Sequence, residues 1–160
     1  MRRLKTALVV IGILQIAACQ PHRSVPPQDV RNGSILTLSR AIAIPAGSAF
    51  VYLQDTQLMA PNALKPDYPY CRFGLDDPAS KASRIEPNAF VVTSVDYDER
   101  STGPRGEVVS ATRMNLQSRL DTKRYYMTCM LPAVAGYARF VTVPEIRGAI
   151  GPIFTLNLAD

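Results

Sequence analysis

The side chains from which chemistry could be built are few. The chain has one histidine, His22, so Ser-His-Asp and Cys-His arrangements lack a base in the region that folds, and zinc sites of histidine and cysteine lack ligands. Neither a phosphate-cradling G-x-x-x-x-G-K-[ST] run nor a dinucleotide glycine fingerprint occurs. Carboxylates cluster twice. Asp96, Asp98 and Glu99 close an apolar run, and alternation puts Asp96 and Asp98 on one face of a strand. Calcium wants six to eight oxygens, and this run has neither the glycine nor the distal glutamate of an EF-hand, so a solvated strand end is expected. Asp76-Asp77-Pro78 has the composition of a turn. Paired carboxylates can cleave glycosidic bonds, but only at a fixed separation in space. No catalytic residue, metal or cofactor is therefore expected.

The tyrosines form a more suggestive group. Tyr68 and Tyr70 flank Pro69 just before Cys71, and Tyr125-Tyr126 precede Cys129. Core packing with satisfied hydroxyls is their ordinary use. Gathered on a surface, they would form an interaction patch for a protein or glycan, since tyrosine and arginine mark interface cores.

The remaining cysteine, Cys19, sits at a boundary. Arg2, Arg3 and Lys5 give a positive start, Ala7 to Leu14 is apolar, and Ala17-Ala18 are small. That is the layout of an export signal. The apolar run is about eleven residues, too short for a permanent span, which takes roughly twenty. Ile16-Ala17-Ala18-Cys19 resembles the lipobox of bacterial lipoproteins. The resemblance implies removal of residues 1–18, acylation of Cys19 as the first mature residue, and attachment to a lipid bilayer. More than one acyl chain is needed for stable anchoring. Gln20 is not the aspartate associated with inner-membrane retention, so the resemblance implies the periplasmic face of the outer membrane.

The signal distorts the bulk properties. The whole chain of 160 residues carries a formal charge of +5, but three of its cations leave with the signal, and the remainder is near +2. No nucleic-acid partner is expected from so small an excess. The cations are concentrated in the second half, where Arg113, Arg119, Lys123, Arg124 and Arg139 could form a modest basic face; an ordinary solvated surface is the simpler expectation. The mature length suits one domain. With Cys19 acylated, Cys71 and Cys129 are left as an even pair, and in an oxidising compartment a structural disulfide is expected.

The elements that must position these residues read as short strands. Residues 19–34 contain three prolines and no periodicity, giving a flexible tether ahead of a β-rich domain at 35–160. Ile35 to Ile44 alternates, with Leu36, Leu38, Ile42 and Ile44 on one face, and with Phe50 to Gln54 it suggests a hairpin across Pro45-Ala46-Gly47-Ser48. Asp55 to Pro69 and Asp76 to Pro87 read as long connections. Tyr70 to Leu75 places Cys71, Phe73 and Leu75 on one face. Ala89 to Glu99 is a strong strand, followed by a turn over Arg100 to Gly106. Glu107 to Leu120 fits both periods, and strand is the choice. Tyr125 to Leu131 puts Tyr125, Met127, Cys129 and Leu131 on one face, with Pro132 as its end. Ala138 to Val143 and Ile153 to Leu158 complete the set, and Pro144 to Gly151 holds one helical turn. The expectation is an all-β fold, an antiparallel sandwich or small barrel of about eight short strands.

Pro69-Tyr70-Cys71-Arg72-Phe73 and the block from Tyr125 to Met130 resemble small proteobacterial envelope lipoproteins of no assigned activity. The function expected is non-enzymatic: a tethered module that binds a periplasmic or outer-membrane protein. An inhibitor or ligand-binding module acting on a cell-wall hydrolase is the alternative, and a carboxylate-based wall hydrolase ranks last.

Overall fold

Alternation of apolar and polar residues at period two dominates the chain, and the strands it builds are antiparallel throughout. A computed structural model describes residues 30–78, 80–102, 107–134 and 137–160. In chain order the strands are β1 (Ile35–Leu38), β2 (Ile42–Ile44), β3 (Phe50–Gln54), β4 (Gln57–Met59), β5 (Tyr70–Leu75), β6 (Ser83–Ile85), β7 (Asn88–Ser101), β8 (Glu107–Ser118), β9 (Arg124–Val134) and β10 (Phe154–Asn157), with a helix α1 (Val143–Ile150) between the last two. Eight strands form one sheet in the order β10-β1-β7-β8-β9-β5-β3-β4, and β2 pairs only with β6.

The sheet is curled into a half-barrel. Phe73 on β5 and Phe154 on β10 have ring centroids 4.7 Å apart. Yet five inter-strand steps separate those strands, about 24 Å in a flat sheet. Only curvature that makes the Phe73 face concave brings the rings together. Phe73 and Phe90, on strands three steps apart, meet in the same way at 5.4 Å. Helix α1 fills the open side, packing against β10 from one end of the sheet and against β3 and β5 near the other. Its buried residues, Val143, Ile146, Ala149 and Ile150, follow helical spacing. Glu145 anchors its start, accepting from Thr142 N at 2.9 Å and from the Arg139 guanidinium at 2.8 and 2.6 Å.

The fold corrects several local expectations. Leu36, Leu38, Ile42 and Ile44 are all buried, but on two strands of different sheets, and β1 pairs with β7 and β10 instead of forming a hairpin with β3. The hairpin partner of β3 is β4, inside the presumed connection after Asp55. Asp55 and Thr56 both have positive φ (49° and 68°), which a two-residue hairpin turn matching the strand twist requires. Asp76 to Pro87 likewise contains β6. Pro132 does not end β9: it pairs with Val109 on β8, while pairing with β5 stops at Met130, so a missing N–H on the far side costs no ladder bond. Ala138 to Phe140 form no strand, and Val143 begins α1, which runs for two turns instead of one. Glu107–Ser118 is a strand, as chosen. Val30 is only 6% exposed, and Gly33 N donates to Val92 O at 2.8 Å, so the seated chain begins upstream of Ile35. Cys19 and the rest of the tether lie outside the described residues.

Candidate functional site

One irregularity decides which side chains face outward. On β7, Val92 pairs with Leu116 but Ser94 pairs with Asn115, leaving Thr93 as a bulge. The extra residue reverses the parity of the strand. Before it, Phe90 and Val92 point into the core; after it, Val95 packs on the core and Tyr97 meets Phe140 at 5.1 Å. Ser94, Asp96, Asp98 and Arg100 are thereby turned to the convex outer face. Without the bulge both aspartates would be aimed at the interior.

The outer face of four neighbouring strands then forms a groove of about 490 Å³. Register places Asp96, Arg113, Thr128, Arg72 and Tyr52 in one row across β7, β8, β9, β5 and β3. The adjacent row is Asp98, Ala111, Met130 and Tyr70. Small or slender side chains on the two middle strands make the floor: Val109, Ala111, Thr128 and Met130. Asp96 and Asp98 stand on the β7 wall, Tyr70 and Arg72 on the β5 wall.

The charges in the groove are unequally satisfied. Arg113 turns toward one end, donating from Nη2 to Asp76 Oδ1 at 2.8 Å and from Nε to Asn115 Oδ1 at 3.0 Å, and lying 4.3 Å above the Tyr126 ring. Asp98 pairs with Arg100. Asp96 accepts from Asn115 Nδ2 at 2.9 Å and has no cation partner among the described residues. Arg72 lies 4.9 Å from the Phe50 ring centre, has a buried Nε without a hydrogen bond, and meets no carboxylate among the described residues.

The structure divides the expected tyrosine patch. Tyr70 is half-buried in the groove wall with Tyr52 behind it at 6.1 Å, and burial raises its phenol pKa while Arg72 opposes the rise. Tyr126 shares the outer face, covered by Arg113; burial raises its pKa against the pull of Arg72 and Arg113. Tyr68 is 56% exposed in the loop before β5, with Lys65 Nζ 5.6 Å from its ring centre. Tyr125 leaves the patch altogether: it is 4% exposed, lies in the core against Phe73 and Phe90, and donates to Asp121 at 2.9 Å. Its pKa is pushed well up by burial and then by Asp121.

Cys71 and Cys129 are joined by a disulfide beneath the groove, on the concave side. Asp96 and Asp98 share a face as expected, and Glu99 takes the opposite parity. Asp76 serves as the acceptor for Arg113 and lies 3.4 Å from Arg124, and Arg139 is paired with Glu145, so acids interrupt the expected basic face. No three metal-ligating side chains converge among the described residues. Sequence reasoning missed Arg72, Thr128 and Met130. The signal that finds them is parity: residues alternating with Cys71 and Cys129 must occupy the opposite face. No known protein family, curated protein or solved structure matches this chain.

Proposed function

We propose that this chain is a lipid-anchored envelope module, held to the periplasmic face of the outer membrane through acylated Cys19, that binds a protein partner. The observation that carries the reading is the outer groove, where Tyr70, Arg72, Arg113 and Met130 surround a hollow of about 490 Å³. Tyrosine, arginine and methionine are the residue types enriched where protein interfaces desolvate. The disulfide-linked half-barrel gives that groove a rigid floor, because its strands are joined below it by Cys71–Cys129. The signal and lipobox pattern ending at Cys19 supports the anchor.

The test is site-specific photocrosslinking in intact cells with the full chain. A crosslinkable residue at Thr128 is expected to capture a discrete envelope protein, and one at exposed Thr155 on β10 is not. Equal capture from both positions, or none from Thr128, overturns the binding face. The Cys19→Ser variant is expected to lose fatty-acid labelling and membrane partition, and retention of either removes the anchor.

A further inference from the structure

We infer that Arg72 is the receptor of the outer groove for an acidic side chain, the carboxylate of an aspartate or glutamate projecting from the bound partner. This inference rests on the binding-module reading and adds the chemistry by which the partner is recognised.

Arg72 is held in place from β3. The next outward position on β5 is Gly74, whose missing side chain lets Phe50 lie against the strand; a Cβ there would come within 2.7 Å of Phe50 Cα and Cβ. Seated this way, the Phe50 ring stands 4.9 Å from the Arg72 guanidinium and backs it from one side. That support restricts the guanidinium without neutralising it. Arg72 is half-buried, its Nε is enclosed without a hydrogen bond, and no carboxylate reaches it among the described residues. The other two cations lining the groove are committed: Arg113 donates to Asp76 and Asn115, and Arg100 pairs with Asp98. A guanidinium already positioned is preorganised for a planar carboxylate, which it engages through two parallel hydrogen bonds.

The surroundings select the class of anion. Tyr70 on the same strand and Tyr126 on β9 both feel the charge of Arg72: burial raises the pKa of each phenol, and Arg72 opposes the rise. Both phenols stay protonated at neutral pH and are donors for an anion beside the guanidinium. Two acids, Asp96 and Asp98, line the same groove, which counts against a dianion such as phosphate and favours a singly charged carboxylate. A chain-terminal carboxylate is captured by free backbone N–H groups. Arg72 stands instead on a strand paired on both sides, with Tyr52 of β3 opposite it on one side and Thr128 of β9 on the other. The ladders use the backbone there, so recognition falls to side chains, which suits an acidic side chain laid across the face.

The experiment is an NMR titration of the full chain in detergent micelles, read at the Nε–Hε signals of Arg72 and Arg113. The probes are N-acetyl-aspartate α-methylamide, its asparagine counterpart, N-acetylglycine as a chain end, and inorganic phosphate. Each is taken to about 50 mM at constant ionic strength, since millimolar affinity is what so small a ligand can reach. The aspartate probe is expected to shift Arg72 saturably and to bind about fivefold more tightly than the asparagine probe, the worth of one partly exposed charge contact. Arg113, tied to Asn115, should not follow. Arg72→Gln should erase the preference for aspartate, and Arg72→Lys, which keeps the charge and loses the planar fork, should retain only part of it. Equal binding of the aspartate and asparagine probes overturns the inference. So does binding of N-acetylglycine or phosphate as tight as that of the aspartate probe, which would make the site one for chain ends or for anions in general. The probe comparison needs no variant to fold. Photocrosslinking from Thr128 separates this inference from the reading beneath it. Capture that survives Arg72→Gln overturns the inference alone. No capture with Arg72 in place, while the aspartate probe binds as expected, overturns the protein-binding reading instead.

Discussion

Cys71 on β5 and Cys129 on β9 lie directly opposite one another, their Cα atoms 4.0 Å apart, and are joined by a disulfide. Both are fully buried, so the bridge ties two adjacent strands from the core side. It closes a sequence separation of 58 residues, for which the chain-entropy model gives roughly 4 kcal/mol. The Cys71→Ala/Cys129→Ala double variant is expected to lose about that much in urea unfolding. Titration of the denatured, unreduced protein should find no free thiol from this pair.

Gly74 is required by a close backbone approach. A Cβ placed there would lie 2.0 Å from Ala49 O and 2.7 Å from Phe50 Cα. The same carbonyl accepts from Leu75 N at 2.9 Å, so it cannot retreat without breaking the β3–β5 ladder. Gly74→Ala is expected to cost about 3 kcal/mol or more, at the upper end of overpacking effects. Chemical denaturation checks the loss, and Gly148→Ala, inside α1 where an added Cβ meets nothing within 4 Å, is the contrasting control, expected to gain about 0.5–1 kcal/mol.

Gln54 holds the loop that leads into Tyr68 and Tyr70. Its side chain is fully buried; Nε2 donates to Lys65 O at 3.0 Å and Tyr68 O at 3.3 Å, and Oε1 accepts from Lys65 N at 2.7 Å. Gln54→Leu leaves those backbone groups without their partner and is expected to cost about 2 kcal/mol. Gln54→Glu should be worse at neutral pH, because a carboxylate cannot donate to carbonyls. Hydrogen exchange at Lys65 N should accelerate in Gln54→Leu more than at Cys71 N, and less in Gln54→Glu, whose carboxylate can still accept from that N–H.

Stability should fall in strong acid partly through Glu145. The Arg139 guanidinium holds its carboxyl down to about 2, with Thr142 adding to the effect. A folded pKa below the unfolded one contributes stability that is complete above the unfolded value, near 4.3, and is lost as pH falls through about 2. Between those limits, melting temperature should fall more steeply with acid in the native protein than in Glu145→Gln. Parallel acid limbs for the two proteins would show that Arg139 does not hold this carboxylate.

The sequence by itself determined most of the strands and the parity of their residues. Cys71 with Phe73, and Cys129 with Met127, read as inward-facing because period-two alternation is a local property of one strand. The pattern from Arg2 to Cys19 that carries the expectation of an export signal is likewise a run of local composition. Tertiary structure decided what lies far apart in the chain. Which strand pairs with which, the curl that brings Phe73 to Phe154, and the meeting of Arg113 with Asp76 depend on register and curvature. The bulge at Thr93 is a matter of register against β8, invisible along β7 alone, and it turns Asp96 outward. Ala138 to Phe140 misled by composition, because Phe140 is buried against Tyr97 without any strand beside it. Apolar content reports burial, whereas a strand also needs a partner backbone, and the fold alone supplies that.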